Sequence, residues 1–340
     1  MTTDSSSQPA GAIPKVLYVG GFGRSGSTLI GRVLGEAPGA VCLGETRYVW
    51  GRGLLHNVQC GCGQPFRSCP FWSSVGEEAF GGWETIDLDR LVEIDYKILL
   101  LRTLPIHWMP WLRPGFSDAI DEYVALLTKL YAAIGRVSGA RTIVDTSKDP
   151  NFAFMLMRIR GCDVRSIHLV RDSRAVAYSW TRSKQMPSPI GEQTFLDQFK
   201  PSEIAPRWLV WNAALRALAL RNSRYTRIHY EKFVAEPRAT LQKLAEFADE
   251  PLLLPESQLT DEKVNLGDHH MFSGNPMRAS TGWVTMGLDD EWQTKMPTSQ
   301  FAEVTAITLP QLALYGYPII PAARRKMIYS RLGRHSSTAS

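Results

Sequence analysis

The residues Gly23, Arg24, Ser25, Gly26, Ser27, Thr28 and Leu29, within "YVGGFGRSGSTLIGRVLG" (Tyr18–Gly35), have the composition of a loop that holds an anion. Gly20, Gly21, Gly23 and Gly26 let the backbone approach a charged group closely, and Ser27 and Thr28 add hydroxyls where a helix would start. A nucleotide triphosphatase loop needs Gly-x4-Gly-Lys-Ser/Thr. Here Gly21-x4-Gly26 is followed directly by Ser27 and Thr28, so the lysine is missing. The cation is instead Arg24, inside the loop. Its planar fork can grip two oxygens of a phosphate or sulfate and cannot lose its proton. It can neutralise a leaving phosphate without a metal. Taken alone, the loop also reads as a tight structural turn.

A second anion site is spelled by "IHLVRDSRAVAYSW". Arg171 closes an apolar run, Asp172 is placed to cap a following helix, and Ser179 lies eight residues beyond Arg171, so that Arg171 and Ser179 can share one phosphate. Two such sites in one sheet suit a ligand phosphorylated at both ends. Glu45, in "LGETRYVW", is the candidate general base, although a glutamate next to Arg47 also reads as a surface ion pair.

The elements that must position these residues alternate. "KVLYVGG", "AVCLG", "RTIVDTSK", "VRSIHLV" and "YTRIHYE" are β-rich runs. "STLIGRVLG", "NFAFMLMRIRG" and "PRWLVWNAALRALALRN" carry helical spacing. The alternation predicts an α/β fold: a P-loop-like central parallel sheet with helices on both faces. In such a sheet the ligand sits beyond the carboxyl ends of the strands. Residues near 88 to 104 and 118 to 138 predict helices and, with the Cys-rich stretch, a helical insertion over about 50–138. Its tryptophans and prolines either wall an acceptor pocket or pack a core. A last helix is expected near 299 to 315. The expected organisation is a disordered leader over 1–14, a single domain over 15–320 and a basic polar tail over 321–340.

These motifs resemble the sulfotransferases that use 3'-phosphoadenosine-5'-phosphosulfate (PAPS). "GRSGSTLI" is similar to their 5'-phosphosulfate loop in its Arg form, and "IHLVRDSRAVAYSW" to their 3'-phosphate motif. "YEKFVAEPRATLQKLAEFAD" resembles the family's Tyr-Glu strand end and Pro-started helix, and "HHMFSGNPMR" and "CGCGQPFRSCPFW" resemble segments of a bacterial branch. The resemblance implies a PAPS-dependent sulfotransferase with Arg24 and Glu45 catalytic and the donor bound by residues 23–29, Arg171 and Ser179. Weaker carry-overs are Tyr230 against the adenine, Arg278 near the 3'-phosphate, and Lys148. It implies transfer to a hydroxyl of a small-molecule, glycan or lipid acceptor, with PAPS as co-substrate and no metal. No acceptor-binding residue carries over to the insertion.

Composition agrees. Hydrophobic residues at 44% and charged residues at 21% are those of a soluble globular protein. Lys+Arg of 38 against Asp+Glu of 33 is too weak a bias for a nucleic-acid partner. The first residues lack the pattern of a signal peptide, and no apolar run reaches the length of a membrane span, so a cytoplasmic enzyme is expected. Cys60, Cys62 and Cys69, with His56, offer four zinc ligands. Their C-x-C-x6-C spacing is not a standard one, so buried thiols or a local disulfide are expected and no metal is assigned. Two other functions compete. A P-loop kinase would use Asp145 to hold Mg²⁺, and a non-catalytic module would keep the loops without the chemistry. His107 is the alternative base.

Overall fold

The structure, a computed structural model, describes residues 13–109, 115–182 and 197–326. The leader expected at the N-terminus therefore lies almost wholly outside the described residues. Five strands form one sheet: β1 (Lys15–Gly20), β2 (Ala40–Gly44), β3 (Thr142–Lys148), β4 (Val164–Val170) and β5 (Tyr225–His229). Their order is β2-β3-β1-β4-β5 and every adjacent pair is parallel, as the alternating sequence predicts.

Strand β1 shows why these residues make a central strand. Side chains alternate across a pleat, and both faces of β1 are covered. Val16 and Tyr18 join one apolar core and Leu17 and Val19 another, all fully buried. Around the sheet lie helices α1 (Ser27–Gly35), α2 (Pro70–Phe80), α3 (Leu88–Ile98), α4 (Leu104–Trp108), α5 (Phe116–Ser138), α6 (Pro150–Leu156), α7 (Ser173–Trp180), α8 (Pro201–Ala217), α9 (Tyr230–Ala235), α10 (Pro237–Ala248), α11 (Trp292–Lys295) and α12 (Thr298–Leu314). Helices α1, α9 and α10 pack on the Leu17 face, and α5 and α6 on the Val16 face.

From β1 the chain runs through α1 to β2 on one side, and from β4 to β5 on the other. The order of the sheet thus reverses between β1 and β4, where a crevice opens at their carboxyl ends. The loops after these two strands carry Arg24 and Arg171.

Three features differ from the sequence reading. The helix expected over 88–104 ends at Ile98 and resumes at Leu104, after a 3-10 turn at Leu101–Thr103. An antiparallel hairpin, β6 (Lys263–Leu266) with β7 (Gly282–Thr285), was not expected. Finally, residues 321–326 are not free tail: Arg324 is buried, donates to the Met296 carbonyl at 2.8 Å and lies over Phe301.

Candidate active site

A cavity of about 590 Å³ opens at the carboxyl ends of the strands. Of the residues predicted from sequence, Gly23, Arg24, Gly26, Ser27, Thr28, Leu29, Glu45, Lys148, Arg171, Ser179 and Tyr230 line it; Ser25 and Arg278 do not. Ser25 lies buried beneath the loop, and Arg278 is buried with its carbonyl accepting from Arg32 Nη1 and His269 Nε2.

The loop from β1 to α1 is shaped for close approach. Gly26 caps α1 with φ 92°, a left-handed backbone, and a Cβ there would stand 2.3 Å from the Tyr230 ring. No side chain caps α1. The Leu29 amide donates to the Gly26 carbonyl at 3.0 Å, whereas Ser27 and Thr28, at the positive end of the helix dipole, line the cavity, so an anion there would satisfy their amides.

Arg24 completes this cradle. It too has a positive φ, 69°, and its guanidinium lies 4.9 Å from the Trp180 ring centroid. Its Nε and Nη2 are buried and have no hydrogen-bond partner. Removal from water disfavours the charge, so burial draws its pKa below the usual arginine value. A half-buried cation with two shielded, unused donors is well matched by an anion.

Arg171, one residue past β4, binds the loop itself. Its Nη1 donates to the Arg24 carbonyl at 3.0 Å and its guanidinium lies 4.8 Å from the Tyr230 centroid. Asp172 caps α7 by accepting from the Arg174 amide at 2.9 Å, as the sequence predicts. Ser179 sits two turns along that helix and lines the same cavity. Trp211 of α8 also holds the loop, its Nε1 shared between the carbonyls of Gly21 and Lys148, each at 3.1 Å.

Glu45 follows β2, where Gly44 with φ 78° turns the chain; a Cβ at Gly44 would meet the Ser273 carbonyl at 2.6 Å. The Glu45 side chain is buried at the cavity wall. Its Oε1 accepts from Lys148 Nζ, its Oε2 accepts from Ser273 Oγ at 2.8 Å, and Arg52 Nη1 stands 3.9 Å away. The alternative reading of Glu45, a surface ion pair with Arg47, does not form; Arg47 pairs with Asp149 at 2.5 Å. Ser273, Arg52, Trp211 and Asn275 escaped sequence reasoning. Only the "HHMFSGNPMR" resemblance pointed toward Ser273 and Asn275.

Burial and the Arg24 guanidinium draw the Lys148 ammonium down to about 7, against the pull of Glu45. Its sign in stability follows. Between about pH 7 and the roughly 10.4 of an unfolded lysine, the unfolded chain binds the extra proton, so native stability rises with pH across this window. Lys148→Met should flatten the rise. Denaturant midpoints of both proteins at the two ends of the window test this, and a wild-type-minus-variant difference that stays constant with pH would refute it.

Two sequence alternatives lose their support. Asp145 is fully buried and accepts from Thr46, Tyr131 and the Ser147 amide, and it does not line the cavity, so it cannot serve a nucleotide-bound Mg²⁺ there. His107 lies between Phe116 and Phe154 with Nε2 at 2.6 Å from the Ile98 carbonyl, also away from the cavity. Among the described residues of 50–138, only Arg52 reaches the cavity. The helices of the insertion instead build core, through Leu91, Ile94, Tyr123 and Leu127. Among the described residues these helices do not wall this cavity.

Fold and site together define an α/β protein with an anion-receptive cavity at the carboxyl ends of its strands. Residues 115–253 match the model of the Sulfotransferase family. No curated protein matches the chain. Solved structures similar to it include the sulfotransferase domain of the Synechococcus PCC 7002 olefin synthase, at 18% identity and TM-score 0.44, covering 93% of this chain and 99% of that one. Sulfotransferase STF9 from Mycobacterium avium is similar at 13% identity and TM-score 0.41, covering 91% and 78%. A sulfotransferase from Alicyclobacillus acidocaldarius is similar at 14% identity and TM-score 0.39, covering 92% and 98%.

Proposed function

We propose that the protein transfers the sulfuryl group of PAPS to a hydroxyl of a small-molecule, glycan or lipid acceptor, with Glu45 as general base. The observation that carries this reading is the half-buried Arg24 guanidinium, whose shielded Nε and Nη2 have no partner, beside the uncapped start of α1. PAPS fits these residues: the loop amides, Arg24 and the Ser27 and Thr28 hydroxyls would take the 5'-phosphosulfate, and Arg171 with Ser179 the 3'-phosphate.

The donor supplies a sulfuryl group whose bond to the 5'-phosphate oxygen breaks as the acceptor oxygen bonds to sulfur. The protein's own part is local. Glu45 receives the acceptor's proton. Lys148 and Ser273 hold that carboxylate at the cavity wall. Arg24 and the α1 amides oppose the charge that collects on the departing phosphate; such donors are fixed in advance and cost no reorganisation during the reaction.

Adding PAPS without metal should raise the melting temperature, whereas ATP with Mg²⁺ should not. The reverse result would favour the kinase reading. Acceptors are then found by incubation with labelled PAPS and mass spectrometry for the gain of one sulfuryl group. Arg171→Ala should lose a charge-assisted contact of about 1.5–3 kcal/mol, so PAPS should bind roughly ten- to a hundredfold more weakly by calorimetry. Unchanged affinity would remove Arg171 from the donor site.

A further inference from the structure

The Cys-rich stretch has its own centre, outside the cavity. His56, the partner considered from sequence, is exposed and takes no part. In its place His270, two hundred residues away, brings Nδ1 to 3.3 Å from Cys69 Sγ and 3.8 Å from Cys60 Sγ, while Cys62 Sγ stands 3.5 Å from Cys69 Sγ. All four atoms lie within 4.8 Å of one another. A tetrahedral ion with Zn–S of about 2.3 Å and Zn–N of about 2.0–2.1 Å places its sulfurs about 3.8 Å apart and its nitrogen about 3.6 Å from each sulfur. The separations of 3.3, 3.5 and 3.8 Å fall near those values. No disulfide is formed among these cysteines, and a Cys62–Cys69 bond would leave Cys60 and His270 Nδ1 facing each other without purpose.

The surroundings fix the ligands. The His270 ring stacks on Phe71 at 4.8 Å and 9°, and its carbonyl accepts from Trp72 Nε1 at 2.8 Å. The Gly61 amide donates to the Met271 carbonyl at 2.8 Å, and Gly63, with φ 86°, lets its amide turn back to the Cys60 carbonyl at 3.0 Å. Cys60 and Cys69 are buried, and Cys62 closes the surface side.

We propose that Cys60, Cys62, Cys69 and His270 bind a structural zinc ion that clamps the insertion to the 267–279 segment. Three sulfurs and one nitrogen are a closed, borderline-soft set, which selects zinc over magnesium or calcium and leaves no position open for catalysis. The clamp acts near the candidate base, because Ser273, three residues past His270, donates to Glu45. It supports the position of Ser273 and does not depend on which donor the cavity takes.

The test is the metal content of the wild-type chain purified without chelators or metal-affinity resin. One zinc per chain, retained through dialysis, is expected by elemental mass spectrometry. Less than about a tenth of an equivalent after zinc supplementation under reducing conditions would overturn the site. Cys69→Ser and His270→Ala should each lose most of the bound zinc. In case these variants fail to fold, cobalt substituted into the wild type gives an independent reading. Intense tetrahedral bands with thiolate charge transfer support the site, and a weak octahedral spectrum or a Cys62–Cys69 disulfide in the peptide map refutes it.

Discussion

Glu45→Gln should reduce sulfuryl transfer by about 10²-fold or more while leaving PAPS affinity near wild type. Glutamine keeps the size of the side chain and can still accept from Ser273, but it cannot take a proton from an acceptor hydroxyl. The environment makes the substitution informative, because Glu45 is buried against Lys148 and Ser273 at the wall of the cavity and makes no hydrogen bond to the α1 loop. Lys148 would lose its counter-charge, so the folded fraction must be measured on the same sample. Turnover comes from mass spectrometry of the sulfated product, and affinity from calorimetry. If turnover stays near wild type, Glu45 is a structural partner of Lys148 and the base lies elsewhere. A collapse of donor affinity would instead make Glu45 a support of the loop.

The sheet was legible because each of its strands carries its own signal. Val16 to Val19 is a continuous apolar run and Ile167 to Val170 is interrupted only by the buried His168, as suits strands covered on both faces, and the glycines after β1 mark the turn into α1. Asp172 could be read as a cap because capping is local chemistry. What could not be read depends on contacts between distant segments. His270 joins Cys60 and Cys69 across some two hundred residues, and no spacing rule covers that. Ser273 reaches Glu45, and Trp211 reaches Gly21 and Lys148, only because the folded helices and the 267–279 segment bring them there. The hairpin of β6 and β7 escaped because each strand has only four residues and residues 267–281 between them make a connection far longer than a hairpin loop. Sequence periodicity found the helices of the insertion but not what they face. Leu91 and Tyr123 look alike whether they wall a pocket or fill a core.

Arg24→Ala should lower turnover by about 10²–10³-fold, the usual cost of removing one fixed donor from a developing charge, with a smaller loss of donor affinity. The separation follows from where the side chain and backbone are held. Arg24 has a left-handed φ of 69°, and alanine carries the same Cβ, so the substitution adds no new backbone penalty. Arg171 grips the loop through the Arg24 carbonyl, not its side chain, and the α1 amides remain in place. The cradle should therefore still dock a phosphate. What disappears is the half-buried guanidinium whose shielded Nε and Nη2 have no protein partner, the group free to answer charge that grows during transfer. An interaction stronger in the transition state than in the ground state lowers kcat more than it raises Kd. Arg24→Lys restores a cation without the fork, so it should recover part of the lost turnover. Steady-state turnover and PAPS calorimetry on the three proteins decide the matter. Equal losses in affinity and turnover for Arg24→Ala would make Arg24 a docking residue only, and full turnover would separate it from the chemistry altogether.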